Sequence, residues 1–146
     1  MKILVTGALG FIGSFFVKYL LRNYDDVSIV GVNRFSNQKN LKRLEDAWED
    51  KRFTMYYADF ARDPLTDAFQ DVEYICHMGA KTFVNYSIRD PQPFIESNIV
   101  GTYRILEEAR KCRTLKKYLQ FSTDEVYGSI MHGSYTEDSR LNPSNL

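Results

Sequence analysis

The chain has 146 residues, 44% of them apolar, enough for the core of one domain at most. Lysine plus arginine and aspartate plus glutamate number 19 each, so no charge excess marks nucleic acid or an anionic membrane as a partner. Two cysteines without CxxC spacing, Cys76 and Cys112, and two histidines, His77 and His132, argue against a metal site and point to reduced thiols in a cytoplasmic protein.

The apolar run Lys2-Ile3-Leu4-Val5 reads as a buried strand, and Ser14 to Arg22 reads as a helix. Between them lies Thr6-Gly7-Ala8-Leu9-Gly10-Phe11-Ile12-Gly13. Glycines in a strand-to-helix turn let an anion approach open N–H groups at the positive end of a helix. The spacing therefore points to a dinucleotide phosphate at Gly7, Gly10 and Gly13; a tight turn that binds nothing is the alternative. No Gly-Lys-Ser/Thr closes the motif, so a P-loop is not expected. The three glycines, Lys18 and the lack of a small-residue cleavage site argue against a signal peptide or membrane span.

Val27 to Val32 is a second short apolar run, completing a right-handed βαβ unit. It ends at Asn33-Arg34, about twenty residues past the glycine turn, where a dinucleotide fold places the acid that binds the ribose. Asn33 keeps an acceptor without a charge, and Arg34 is able to attract a 2′-phosphate, so NAD and NADP both remain open. A turn-forming Asn is the plainer reading of Asn33.

Asn40 to Asp50 predicts a surface helix with a stripe of Leu41, Leu44, Ala47 and a core Trp48. Phe53 to Tyr57 makes a third strand whose carboxyl end carries Asp59, either an acceptor for the adenine amino group or a helix cap. A short helix over Asp63 to Phe69 starts at Pro64. Val72 to Met78 is the fourth strand, with Cys76 and His77 in its interior, and Gly79-Ala80 leaves room for a cofactor. A long amphipathic helix spans about Phe94 to Lys111, more apolar than one narrow stripe requires, so part of it faces a partner subunit.

Leu115 to Ser122 gives a fifth strand leading into Thr123-Asp124-Glu125. Adjacent carboxylates in a partly dry cleft resist ionising together, which equips one as acid and the other as base; an exposed turn is the plainer alternative. Ser129 to Leu146 is loop by composition. The elements in order predict an α/β, Rossmann-like doubly wound parallel sheet comprising its first five strands.

Taken together, TGALGFIG, Asp59-Phe60, HMGAKTFVNYSI, ESNIVGT, STDEVYG and Thr136 to Ser144 resemble the extended short-chain dehydrogenase/reductase family, and within it the nucleotide-sugar 4,6-dehydratases, with the dTDP-glucose enzyme as nearest type. The resemblance implies transient hydride transfer to bound NAD, forming a 4-keto-6-deoxy sugar from a nucleotide-diphosphate hexose. It implies Glu125 as base at C5, Asp124 as acid at the C6 hydroxyl, Thr123 on the C4 oxygen and Thr82 near the sugar. It assigns the pyrophosphate to Gly10, Phe11 and Ile12, and the adenosine to Asn33, Arg34, Phe35, Ser36, Asp59 and Phe60. The nicotinamide half falls to Met78, Gly79, Ala80 and Ser97. A homodimer is implied as well. An epimerase or decarboxylase of the same family is the alternative, as is a binding module without chemistry.

The sequence departs from the family pattern at Asn33, and at Lys81, Phe83, Asn85 and Tyr86, where the family carries Glu, His, Asp and Arg. The family's first base is a Tyr followed four residues later by Lys, and no such pair occurs in these 146 residues. In relatives that Tyr stands just beyond a segment like Asn142 to Leu146. The expectation is that residues 1–146 are the amino-terminal part of the NAD(P)-binding domain, without the substrate domain.

Overall fold

The computed structural model describes residues 1–35 and 38–144. Its short apolar runs form five parallel strands: β1 (Lys2–Thr6), β2 (Ser28–Asn33), β3 (Phe53–Tyr57), β4 (Tyr74–His77) and β5 (Lys117–Gln120). Their order is β3-β2-β1-β4-β5. The chain runs outward from β1 to β3, then crosses back to lay β4 on the other side of β1. That reversal opens a crevice beyond the carboxyl ends of β1 and β4, where parallel sheets bind ligands.

Successive side chains of a strand face opposite ways, so each face of the sheet acquires its own core. Ile3, Val5 and Ile29 pack under Val17, Leu20 and Leu21 of α1 (Phe11–Asn23). Leu4, Val30 and Ile75 pack on the other face with Ile105 and Ala109 of a later helix and with Phe69 and Val72. Full burial of one such aliphatic side chain contributes about 1.5–3 kcal/mol, so these faces, more than helix propensity, hold the elements. Arg52 donates to the carbonyls of Leu21 and Tyr24 and closes the carboxyl end of α1.

Several elements differ from the sequence expectation. α1 begins at Phe11 instead of Ser14, because Gly10 in extended conformation serves as its N-cap. The expected helix over 40–50 is an α turn, α2 (Gln38–Leu41), followed by a 3-10 stretch over Lys42–Ala47 that breaks geometry at Leu44. Trp48 is 36% exposed, not a core residue; it covers Phe53 from the rim and donates its indole N–H to the Leu41 carbonyl. The helix expected from Pro64 shrinks to a 3-10 turn at Thr66–Phe69. The Asp63 carboxylate accepts the Asp59 N–H and closes a separate turn before it.

A helix absent from the sequence reading, α3 (Val84–Arg89), fills part of the connection before Pro91. The long helix is real but composite: α4 (Gln92–Phe94), a π-helical stretch over Ile95–Gly101, then α5 (Thr102–Lys111). The π-helical stretch ends at Gly101, beside the Phe60 ring. A Cβ on Gly101 would lie 2.5 Å from the Phe60 ring, so the helix passes the ring with bare backbone. At the far edge of the sheet β5 stays largely open, with Leu119 46% and Phe121 41% exposed.

Candidate functional site

The carboxyl end of β1 turns at Gly7, which has φ +70° and donates its N–H to the Val32 carbonyl at 2.8 Å. A side chain at Gly7 would be strained in backbone and would lie 2.8 Å from the Gly79 Cα. The two turns, after β1 and after β4, thus touch backbone to backbone. Gly13 serves a second close approach: its Cβ would stand 2.3 Å from the Gly7 carbonyl oxygen, so α1 seats directly on the turn. Gly10 offers no side-chain cap, so no capping side chain occupies the space in front of the first turn of α1, the kind of helix end at which anions bind.

Over this crevice lies a cavity of about 350 Å³. Of the residues named from the sequence, Gly7, Gly10, Asn33, Arg34, Phe35, Asp59, Phe60, Met78, Gly79, Ala80 and Ser97 line it. Leu9, Asn40 and Lys81 line it too, although the sequence reading assigns none of them to the cofactor. Leu9 sits inside the glycine motif and Lys81 directly follows Gly79-Ala80, so both have a local signal; Asn40 arrives by tertiary contact and has none. Phe11 and Ile12 are not in the lining and expose their side chains at 81% and 58%. Ser36 lies outside the described residues.

Asn33, Asp59 and the Lys81 backbone have definite partners around the cavity. Asn33 accepts the Leu9 N–H at 3.4 Å and donates to the Arg34 carbonyl at 2.8 Å, which ties the end of β2 to the glycine turn. Asp59 divides its carboxylate: one oxygen accepts the Ala61 N–H at 3.0 Å and the other lies 3.7 Å from Arg34. It is both a turn cap and a cavity acid. Phe60 reaches the lining, but its ring is only 8% exposed, edge-on to His77 and wedged against Gly79 and Gly101. In the π-helical stretch, Asn98 accepts the Lys81 N–H at 2.8 Å and donates to the Lys81 carbonyl at 2.9 Å, pinning the loop after β4. π turns recur where a helix is shaped for a site. Thr82, beside Lys81, is exposed and outside the lining.

A smaller cavity of about 180 Å³ adjoins along Arg34, Asp59, Lys81 and Ser97. Its wall contains an ion pair between Arg62 and Glu96, and that guanidinium, with Gln92, holds the Glu96 carboxyl below its usual range. Thr123, Asp124 and Glu125 emerge from β5 at the same edge of the sheet. Thr123 is the N-cap of a 3-10 turn over Asp124–Val126 and accepts the Glu125 N–H at 3.3 Å. All three are exposed, so the partly dry cleft expected around the acid pair is not built by the described residues. Among those residues no group of three or more His, Cys, Asp or Glu is placed to hold a metal ion. None of their helices is long and apolar enough to cross a membrane.

A glycine turn abutting the point where strand order reverses defines a Rossmann-like, doubly wound α/β domain. The chain belongs to the family described as GDP-mannose 4,6 dehydratase, whose family model matches residues 4–146. A dTDP-glucose 4,6-dehydratase of Salmonella typhimurium is 37% identical over 150 residues, covering 95% of this chain and 41% of the relative. A crystal structure of UDP-glucuronic acid 4-epimerase from Bacillus cereus, in complex with UDP-glucuronic acid and NAD, superposes with a TM-score of 0.91 at 32% identity, over 99% of this chain and 47% of that one. The dTDP-glucose 4,6-dehydratase DesIV from Streptomyces venezuelae, with NAD bound, gives 0.89 at 35% identity, over 99% and 46%. The chain therefore spans somewhat under half the length of these proteins.

Proposed function

We propose that this chain is the NAD-binding portion of a nucleotide-sugar 4,6-dehydratase and carries that enzyme's dehydration acid and base. The observation that supports the reading best is the Thr123-Asp124-Glu125 turn, capped by Thr123 and set at the same sheet edge as the glycine cavity. The cavity fits a dinucleotide: glycine backbone meets glycine backbone where a pyrophosphate must pass, and the amino end of α1 is free of a cap.

NAD, when bound, supplies a hydride acceptor and donor. The residues that would hold it are Gly7, Gly10 and the first-turn N–H groups of Phe11, Ile12 and Gly13 for the diphosphate; Asn33, Arg34, Phe35 and Asp59 for the adenosine; and Met78, Gly79, Ala80 and Ser97 for the nicotinamide. Glu125 removes the C5 proton of a 4-keto hexose, and Asp124 gives a proton to the departing C6 hydroxyl. Thr123 holds the C4 oxygen by a hydrogen bond, and Thr82 lies beside the sugar. The substrate is a nucleotide-diphosphate hexose. The exposed stripe of Ile95, Ile99, Tyr103 and Leu106 supports a homodimer through this helix.

The superposition on an epimerase favours a second reading, C4 inversion without loss of water. The acid pair is what separates the two. The test is to incubate the protein, as its source organism makes it, with NAD and dTDP-glucose and to seek by mass spectrometry a product lighter by one water. Such a product, abolished in Glu125→Gln, is the expected result. A product formed by Glu125→Gln at the unaltered rate overturns the role of Glu125, and an isomer of unchanged mass establishes the epimerase.

A further inference from the structure

Thr6 and His77 are register partners at the carboxyl ends of β1 and β4. Both are buried, at 0% and 1% exposure. Thr6 Oγ1 has three neighbours within hydrogen-bond distance: Met78 N at 3.1 Å, Gly79 N at 3.0 Å and His77 Nδ1 at 2.6 Å. A backbone N–H only donates, so Oγ1 accepts twice and both of its lone pairs are used. Its own proton then goes to His77, whose Nδ1 must be bare. The ring proton accordingly sits on Nε2 and is donated to Thr102 Oγ1 at 3.0 Å.

We propose that His77 is a positioning residue for the cofactor: by accepting the Thr6 hydroxyl proton it commits Thr6 to the Met78 and Gly79 N–H groups and so fixes the cavity wall that faces Gly7. The inference rests on the reading of that cavity as the NAD site. The wall has no slack, since Gly79 already abuts Gly7 closely enough to exclude a methyl group. A Thr6 hydroxyl turned the other way would donate where it must accept, and one of the two N–H groups would be left buried without a partner. The far end of the chain, at Thr102, joins the helix that bears Ser97 and Asn98. One imidazole thereby sets the positions of two sides of the cavity.

The test combines a spectroscopic signature with binding. Nitrogen-15 NMR of histidine-labelled protein near neutral pH is expected to show His77 wholly in the Nε2–H form; an Nδ1–H or mixed form overturns the proposal. Thr6→Val and His77→Leu are each expected to weaken NAD binding about tenfold and to speed exchange of the Met78 and Gly79 amides by a similar factor relative to Leu4 and Val5. Thr6→Ser, which keeps the hydroxyl, is expected to stay within about twofold of the unaltered protein. NAD binding unchanged in Thr6→Val or His77→Leu overturns the positioning role. If one of the two variants does not fold, the other carries the binding test, and an Nδ1–H form in the unaltered protein still overturns the proposal. Absence of NAD binding by the unaltered protein defeats the cavity reading and the positioning role together, and is distinguishable because the Nε2–H form would still be observed.

Discussion

Thr6 donates to His77 across 2.6 Å of buried space between two strand ends. The neighbours of the imidazole are Thr6, Thr102, Phe60 and Tyr118, none of them charged near neutral pH. Burial holds His77 down at about 4 from an ordinary 6.5 and pushes the Tyr118 phenol up to about 12. The unfolded chain binds a proton at His77 below pH 6.5, whereas the folded chain does so only below about 4. Stability from this residue is therefore complete above 6.5 and falls with pH through that window, by about 3 kcal/mol in all. Urea titrations between pH 4 and 7 are expected to show this loss, reduced in His77→Leu relative to its own neutral value; parallel pH profiles for the two proteins contradict it.

Gly7 combines positive φ with contact against Gly79. Gly7→Ala is expected to cost about 1–3 kcal/mol, from left-handed strain plus overpacking, and to close the diphosphate passage. Thermal unfolding checks the first effect and calorimetric titration with NAD the second. A variant with unaltered melting and unaltered NAD affinity removes Gly7 from both roles.

Asn33 stands where a carboxylate would disfavour a 2′-phosphate, with Arg34 alongside. Asn33→Asp adds that charge while keeping an acceptor for the Leu9 N–H. NADP binding is expected to weaken about tenfold while NAD binding changes less than about threefold. Equal losses for both dinucleotides would mean that the adenosine ribose lies elsewhere.

Ile99 is 65% exposed at the middle of the stripe that includes Ile95 and Tyr103. A glutamate there would bury a charge in any interface built on this helix. Ile99→Glu is expected to convert a dimer to monomer, measured by sedimentation velocity, with an unaltered circular dichroism spectrum. A variant that sediments as the unaltered protein does places the contact on another surface.

The strands and the glycine turn were legible because their signals are local. Short apolar runs bounded by turn residues are read as strands from neighbouring residues alone, and Gly10 and Gly13 are required by backbone approaches within one βα unit, whereas the approach that requires Gly7 comes from Gly79 after β4. Most of the residues named for the cavity line it for the same reason: each sits at a strand's carboxyl end, and parallel strands bring those ends to one edge. Trp48 departs from the core position that its spacing predicts because periodicity reports which face a residue takes and not whether anything covers that face. The exposure of Asp124 and Glu125 is of the same kind: a strand-end position can be read from neighbours, but the walls of a cleft come from elsewhere in the chain.

Fold class, strand succession and the glycine turn follow from short-range pattern, because periodicity and backbone freedom act over a few residues. The rest required the chain to be folded. Lys81 reaches the cavity by way of Asn98, 17 positions on, and Thr6 meets a histidine 71 positions away. Asn98 holds the loop after β4 from a π turn that passes Phe60 at Gly101. A histidine that read as strand interior became an acceptor with a defined tautomer once register set it beside Thr6. Hydrogen-bond direction depends on every group within about 3 Å, and such neighbours are chosen by strand order and not by sequence distance.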